Sequence, residues 1–194
     1  MSRLPVREAL RVLEGEGQIQ HTPHRGYWVA NLTLRDLEEL YRMRHLIETD
    51  AIVETVPLLG ARDFDVMQQS LDQMAHASAQ VDVRAHSQAN RNFHQAFWDK
   101  LPWPRMHHQL ELLYDWCSPY GALFYNEPSH RLLVASEHEI MLSCARTHDV
   151  HRVVELLVDH RSHVITSLRD VLTPLAPSDA GPGSAASTKT FVEH

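Results

Sequence analysis

Histidines are the residues best placed to do chemistry in this 194-residue chain, and there are fifteen of them. A neutral imidazole binds borderline divalent metals, and its unperturbed pKa lets it exchange protons near neutrality. Position decides which of these it does. Asn90 and His94, in QANRNFHQAFW, stand four residues apart, a spacing that puts both side chains on one face of a helix. His138, in SEHEIMLSCARTHD, and His160, in ELLVDHRSH, fall on separate helical stretches. His107 and His108 are adjacent and so diverge around a helix, while His148 and His151 flank an expected turn; all four read as surface residues. An isolated histidine on a helix more often packs by itself than ligates. Spacing alone therefore does not unite His94, His138 and His160.

Arginines at the start of the chain form a second set. Residues 1–29 carry Arg3, Arg7, Arg11 and Arg25 against Glu8, Glu14 and Glu16, a net +1, whereas the whole chain has 18 basic and 25 acidic residues and a net charge of -7. That balance excludes a protein that coats nucleic acid through bulk charge. Any DNA contact belongs to the N-terminal segment.

The elements that would position these residues are legible from periodicity. Residues 4–16 (LPVREALRVLEGE) place Val6, Leu10 and Leu13 at helical spacing, with Pro5 suited to the first turn and Gly17 to the stop. QIQHTPHRGYWVA then alternates apolar and polar residues about a Pro-His-Arg-Gly turn, the pattern of a small hairpin. Thr33 is placed to cap a long helix from Leu34 to about Val56. Breaks follow at Gly60, Val81 to Val83, Pro102 and Pro104, Pro119 to Gly121, Pro128, and Thr147 to Asp149. The chain is thus expected to be mainly α, with about six helices in one bundle between residues 34 and 172. Residues 174–194, rich in Pro, Ala, Ser and Gly, read as a disordered tail.

Cys117 and Cys144 are too few for a disulfide framework, no apolar run is long enough for a membrane span, and no secretory signal opens the chain. The expected location is the cytoplasm, where the Asn31-Leu32-Thr33 sequon has no meaning.

SRLPVREAL at Ser2 to Leu10, followed by GQIQHTPHRGYWV at Gly17 to Val29, resembles the recognition helix and wing of the GntR family of transcription regulators. The resemblance implies that residues 1–31 are the C-terminal part of a winged helix-turn-helix domain. It implies further that Ser2, Arg3 and Arg7 face operator DNA, with Arg25 and Gly26 at the wing. Physical chemistry supports those roles: a helix N-terminus offers free N–H groups, arginine forks onto guanine or phosphate, and Gly26 permits a tight turn. Such domains have about two further helices ahead of this point, so the resemblance predicts a longer protein. Met1 stands where the family commonly has Val, as a valine codon read as a start would produce.

Asn90, His94, His138 and His160, with Arg44 and Glu48 in LYRMRHLIETDAI, resemble in order the FCD effector-binding domain of the FadR branch of that family. This resemblance covers about residues 34–172. It implies that His94, His138, His160 and an oxygen from Asn90 hold a divalent metal, Zn or Ni by donor chemistry, with positions left open for a small organic acid. Asn90 stands where the family usually has Asp, so metal is expected to bind weakly. Arg44 is the expected effector contact. The function implied is a homodimeric, DNA-binding, ligand-responsive regulator and not an enzyme. One alternative is a truncated helical dimerisation module without DNA binding. The other is a metal-dependent hydrolase, disfavoured because His138-Glu139 is followed by Leu142 where a zincin motif needs its second histidine.

Overall fold

The computed structural model describes residues 3–15, 19–22, 26–29 and 32–173. Helix α1 (Arg3–Gly15) precedes an antiparallel pair, β1 (Ile19–Thr22) and β2 (Gly26–Val29), in which Ile19 faces Val29 and Thr22 faces Gly26. Gly26 has φ +87°, a left-handed conformation that a Cβ would strain, where β2 begins opposite Thr22. Ser2, Gly17, Arg25 and the expected tail at 174–194 lie outside the described residues.

Six helices follow: α2 (Leu34–Thr55), α3 (Ala61–Ala79), α4 (Val83–Trp98), α5 (Pro104–Tyr125), α6 (Pro128–Arg146) and α7 (Val150–Leu172), with a single 3-10 turn at Val56–Leu58 after α2. Their ends follow local chemistry. Thr33 caps α2, its hydroxyl accepting from the Asp36 N–H at 3.1 Å. Asp82 and Asp149 do the same for α4 and α7. Pro104 and Pro128 open α5 and α6, where a missing N–H costs nothing.

The expected break at Pro119 to Gly121 is not present: α5 runs through Pro119 to Tyr125. An interior proline removes one helical hydrogen bond and costs roughly 3 kcal/mol or more. Beyond it, Tyr120, Phe124 and Tyr125 are all buried, and each buried apolar side chain returns about 1.5–3 kcal/mol, so packing outweighs the local signal.

One apolar cluster gathers Ile52, Met67, Phe93, Phe97, Trp98, Leu110, Met141 and Leu157 from α2 to α7. A second, around Leu37, Tyr41, Tyr120, Phe124, Val134 and Leu168, fills the other end. Phe93 and Trp98 make α4 an interior helix, and His94 goes inside with them. Among the described residues no helix is long and apolar enough to cross a membrane. Cys117 and Cys144 are both free.

Candidate metal centre

His94 on α4, His138 on α6 and His160 on α7 converge in the bundle interior. Their ring centroids lie 4.9 Å (94 to 138), 5.2 Å (94 to 160) and 4.9 Å (138 to 160) apart. One nitrogen from each falls within 4.8 Å of the other two. All three are at most 5% exposed. Each ring is held: Phe93 stacks on His138 at 4.3 Å, Tyr114 lies 5.7 Å from His94, and Glu137 accepts from His160 Nδ1 at 2.6 Å.

A buried polar atom without a partner is costly and calls for an explanation. Here His94 Nδ1, both nitrogens of His138, and Asn90 Oδ1 are buried and unpartnered. Asn90 sits one turn before His94 and lines the same cavity, as helical spacing requires. With Nδ1 of His160 engaged by Glu137, its Nε2 is the nitrogen left to serve the cluster. Burial, then the neighbouring His160 and the Arg44 and Arg161 guanidiniums, push the His94 pKa well below its ordinary value. Burial and the rings of His94, His160 and His86 do the same to His138. Rings kept neutral are ready to ligate. Three imidazoles and an amide oxygen form a donor set suited to a borderline divalent ion, so the residues present fit the group.

Beside the rings opens a cavity of about 490 Å³, lined by residues of α2, α4, α5 and α7 that include Tyr41, Arg44, Asn90, His94, Tyr114 and His160. Arg44 is 5% exposed, lies 3.8 Å over the Tyr114 ring, and pairs with Glu48 at 3.3 Å. Glu48 also receives Arg161 at 2.7 Å and the Tyr114 hydroxyl. Burial alone would raise the Glu48 carboxyl pKa, but Arg44, Arg161 and Tyr114 hold it below the usual value.

The remaining sequence candidates are placed as follows. Arg3 opens α1, Arg7 is exposed on it, and Gly26 starts β2. His108 and His151 are surface residues as expected. His107 is not: its side chain is 25% exposed and meets Trp98 edge-on at 4.9 Å, because α5 folds that turn back onto the end of α4. His148 is exposed, yet its Nδ1 contacts the Val56 carbonyl at 2.9 Å. Sequence reasoning did not find Glu137, Arg161 or Tyr114. Only Glu137, beside His138, carried a local hint; the others join the site through packing of distant helices.

The FCD domain family matches residues 39–163, well over half of the chain. McbR, an HTH-type transcriptional regulator of Escherichia coli, is 29% identical over 146 residues, which are 70% of this chain and 66% of McbR, just under two thirds. YdhC of Bacillus subtilis, named as an uncharacterized HTH-type transcriptional regulator, is 22% identical over 89% of this chain and 77% of its own length. The solved structure of E. coli McbR/YncC superposes with a TM-score of 0.79 at 22% identity, covering 88% of this chain and 87% of that one. A putative GntR regulator from Rhodococcus gives 0.76 at 18% identity over 88% and 81%. These relatives are named as transcriptional regulators, and the two solved structures share the helical fold of this chain. The chain belongs to the FCD domain family.

Proposed function

We propose that this protein is a ligand-responsive DNA-binding regulator whose six-helix domain holds a divalent metal on His94, His138 and His160, with Asn90 as the oxygen donor. A small carboxylate metabolite enters the adjoining cavity. The observation that carries this reading is the set of buried, unpartnered nitrogens on His94 and His138 facing one another beside the equally unpartnered Asn90 oxygen. The metal, when bound, supplies a Lewis-acidic position for a carboxylate oxygen. The chain's own residues do the rest: Phe93 and Glu137 hold the rings, and Arg44 presents a buried cation to the cavity.

Effector binding reaches the DNA-binding segment through α2, which carries Arg44 and is separated from β2 by four residues. Exposed Arg7 on α1, with Arg3 at its start, Ser2 just before it and Arg25 and Gly26 at the wing, supplies the DNA contacts of a homodimer on a two-fold operator. Zn and Ni are the ions that best match the donors.

The test is elemental analysis of protein purified without chelator, together with thermal melts before and after EDTA. His94→Ala, His138→Ala and His160→Ala are each expected to abolish metal-dependent stabilisation. Double variants should cost little more than singles, because residues sharing one ligand are not additive. His108→Ala and His151→Ala serve as controls. A metal-free wild type whose melt ignores added Zn and Ni would refute the metal site.

A further inference from the structure

The charges around the cavity do not balance, and the imbalance specifies the occupant. The donor set contains no anion: His94, His138 and His160 ligate as neutral rings, and Asn90 offers an amide. Behind it, two guanidiniums, Arg44 and Arg161, share the single carboxylate of Glu48, all three at most 5% exposed, which leaves one buried positive charge in excess. Arg44 lines the cavity, and its Nε is buried without a partner. Glu137, on the far side of His160, returns one negative charge. Arg91 is neutralised by Asp115, and Arg84 sits at the exposed edge, where water screens it. A loaded site therefore carries the full double charge of its ion with no protein anion left to offset it.

We propose that the effector of this cavity is doubly anionic: an organic acid with two carboxylates, or with a carboxylate and a second anionic group, one directed to the ring cluster and the other to Arg44. The inference rests on the metal reading above and adds the charge class of the ligand. Uncompensated charge in a buried site is strongly unfavourable, so the occupant that neutralises it is preferred over one that leaves half of it. The cavity, at about 490 Å³, lies in the ordinary range for a small-molecule site and has room for such an acid. Asn90 is the residue that sets the requirement, because a carboxylate there would supply one of the two missing negative charges from the protein.

The experiment is calorimetric titration of the zinc-loaded full chain with acids matched in skeleton and differing by one carboxylate: butanoate against butanedioate, 2-hydroxybutanoate against 2-hydroxybutanedioate, and acetate against oxalate. The dianion of at least one pair is expected to bind about ten-fold or more tightly than its monoanion, since only the second charge completes the neutralisation of the buried excess. Zinc-loaded Asn90→Asp should bind zinc more tightly and show a smaller ratio for the same pair, and EDTA-stripped wild type should lose most of the preference. Equal binding of monoanion and dianion, a ratio unchanged by Asn90→Asp, or no binding by any dianion to the zinc-loaded protein overturns the charge inference alone. Failure of the wild type to take up zinc overturns the metal reading and this inference with it.

Discussion

Glu137 does its work one bond away from the ring cluster. One oxygen accepts from His160 Nδ1 and the other from His163, a ring half exposed at the surface, so the carboxylate is gripped on both sides. Although burial alone would raise its pKa, these two rings hold it below the usual carboxylate value. An ionised carboxylate on one imidazole nitrogen fixes the tautomer, so that the opposite nitrogen presents a lone pair, and it raises that nitrogen's basicity. Glu137→Gln should therefore weaken zinc binding by about 10- to 100-fold while leaving the fold intact, as the loss of such an outer partner does elsewhere. Competition titration with a chelating dye measures this, with circular dichroism as the check on folding. Wild-type affinity in the variant would mean that His160 is oriented by packing alone.

The α3 to α4 junction carries a visible fault: Val81 has φ +57°, in the left-handed region where a branched side chain is strained. The chain accepts this because Gln80 N–H bonds the His76 carbonyl, Val81 N–H that of Ser78 and Asp82 N–H that of Ala77, closing the end of α3 and aiming Asp82 to cap α4. Val81 is 69% exposed, so removing its side chain forfeits little packing. Val81→Gly should raise stability by about 0.5–1 kcal/mol, the left-handed penalty of about 1–2 kcal/mol less the extra backbone entropy of glycine. The urea midpoint reads it; a lower midpoint would show that the turn is not strained.

For the molecule as a whole, burying two neutral histidines links stability to pH. Both His94 and His138 have folded pKa values well below 6.5, so between the folded and unfolded values the unfolded chain binds protons that the folded interior refuses. In metal-stripped protein their contribution to stability is complete above about pH 6.5 and declines as the pH falls below it. Urea midpoints of the stripped wild type should drop from pH 7.5 to 5.5. The double variant His94→Gln, His138→Gln should show a flatter dependence over the same interval. Equal slopes in the two proteins would show that other groups govern acid sensitivity. Added metal should steepen the fall, since protonation also competes with the ion for the same nitrogens.

Local chemistry sufficed for much of this protein. Thr33 and the prolines at 104 and 128 marked helix ends because caps and missing N–H groups act within a turn. The i to i+4 spacing of Asn90 and His94 put them on one face, and the ordered set Asn90, His94, His138, His160 was readable as a family pattern before any fold was known. Three things needed the tertiary structure. Pro119 looked like a break, yet α5 continues through it because the burial of Tyr120, Phe124 and Tyr125 outweighs one lost hydrogen bond. His107 looked like surface and meets Trp98, because neighbouring helix ends fold together. The excess charge of the cavity was invisible in sequence, since Arg161 lies 113 residues from Glu48 and Tyr114 lies 66 from it. Capping and periodicity are short-range and survive in the bare sequence, whereas the sharing of one carboxylate by two guanidiniums exists only where α2, α5 and α7 exclude water together.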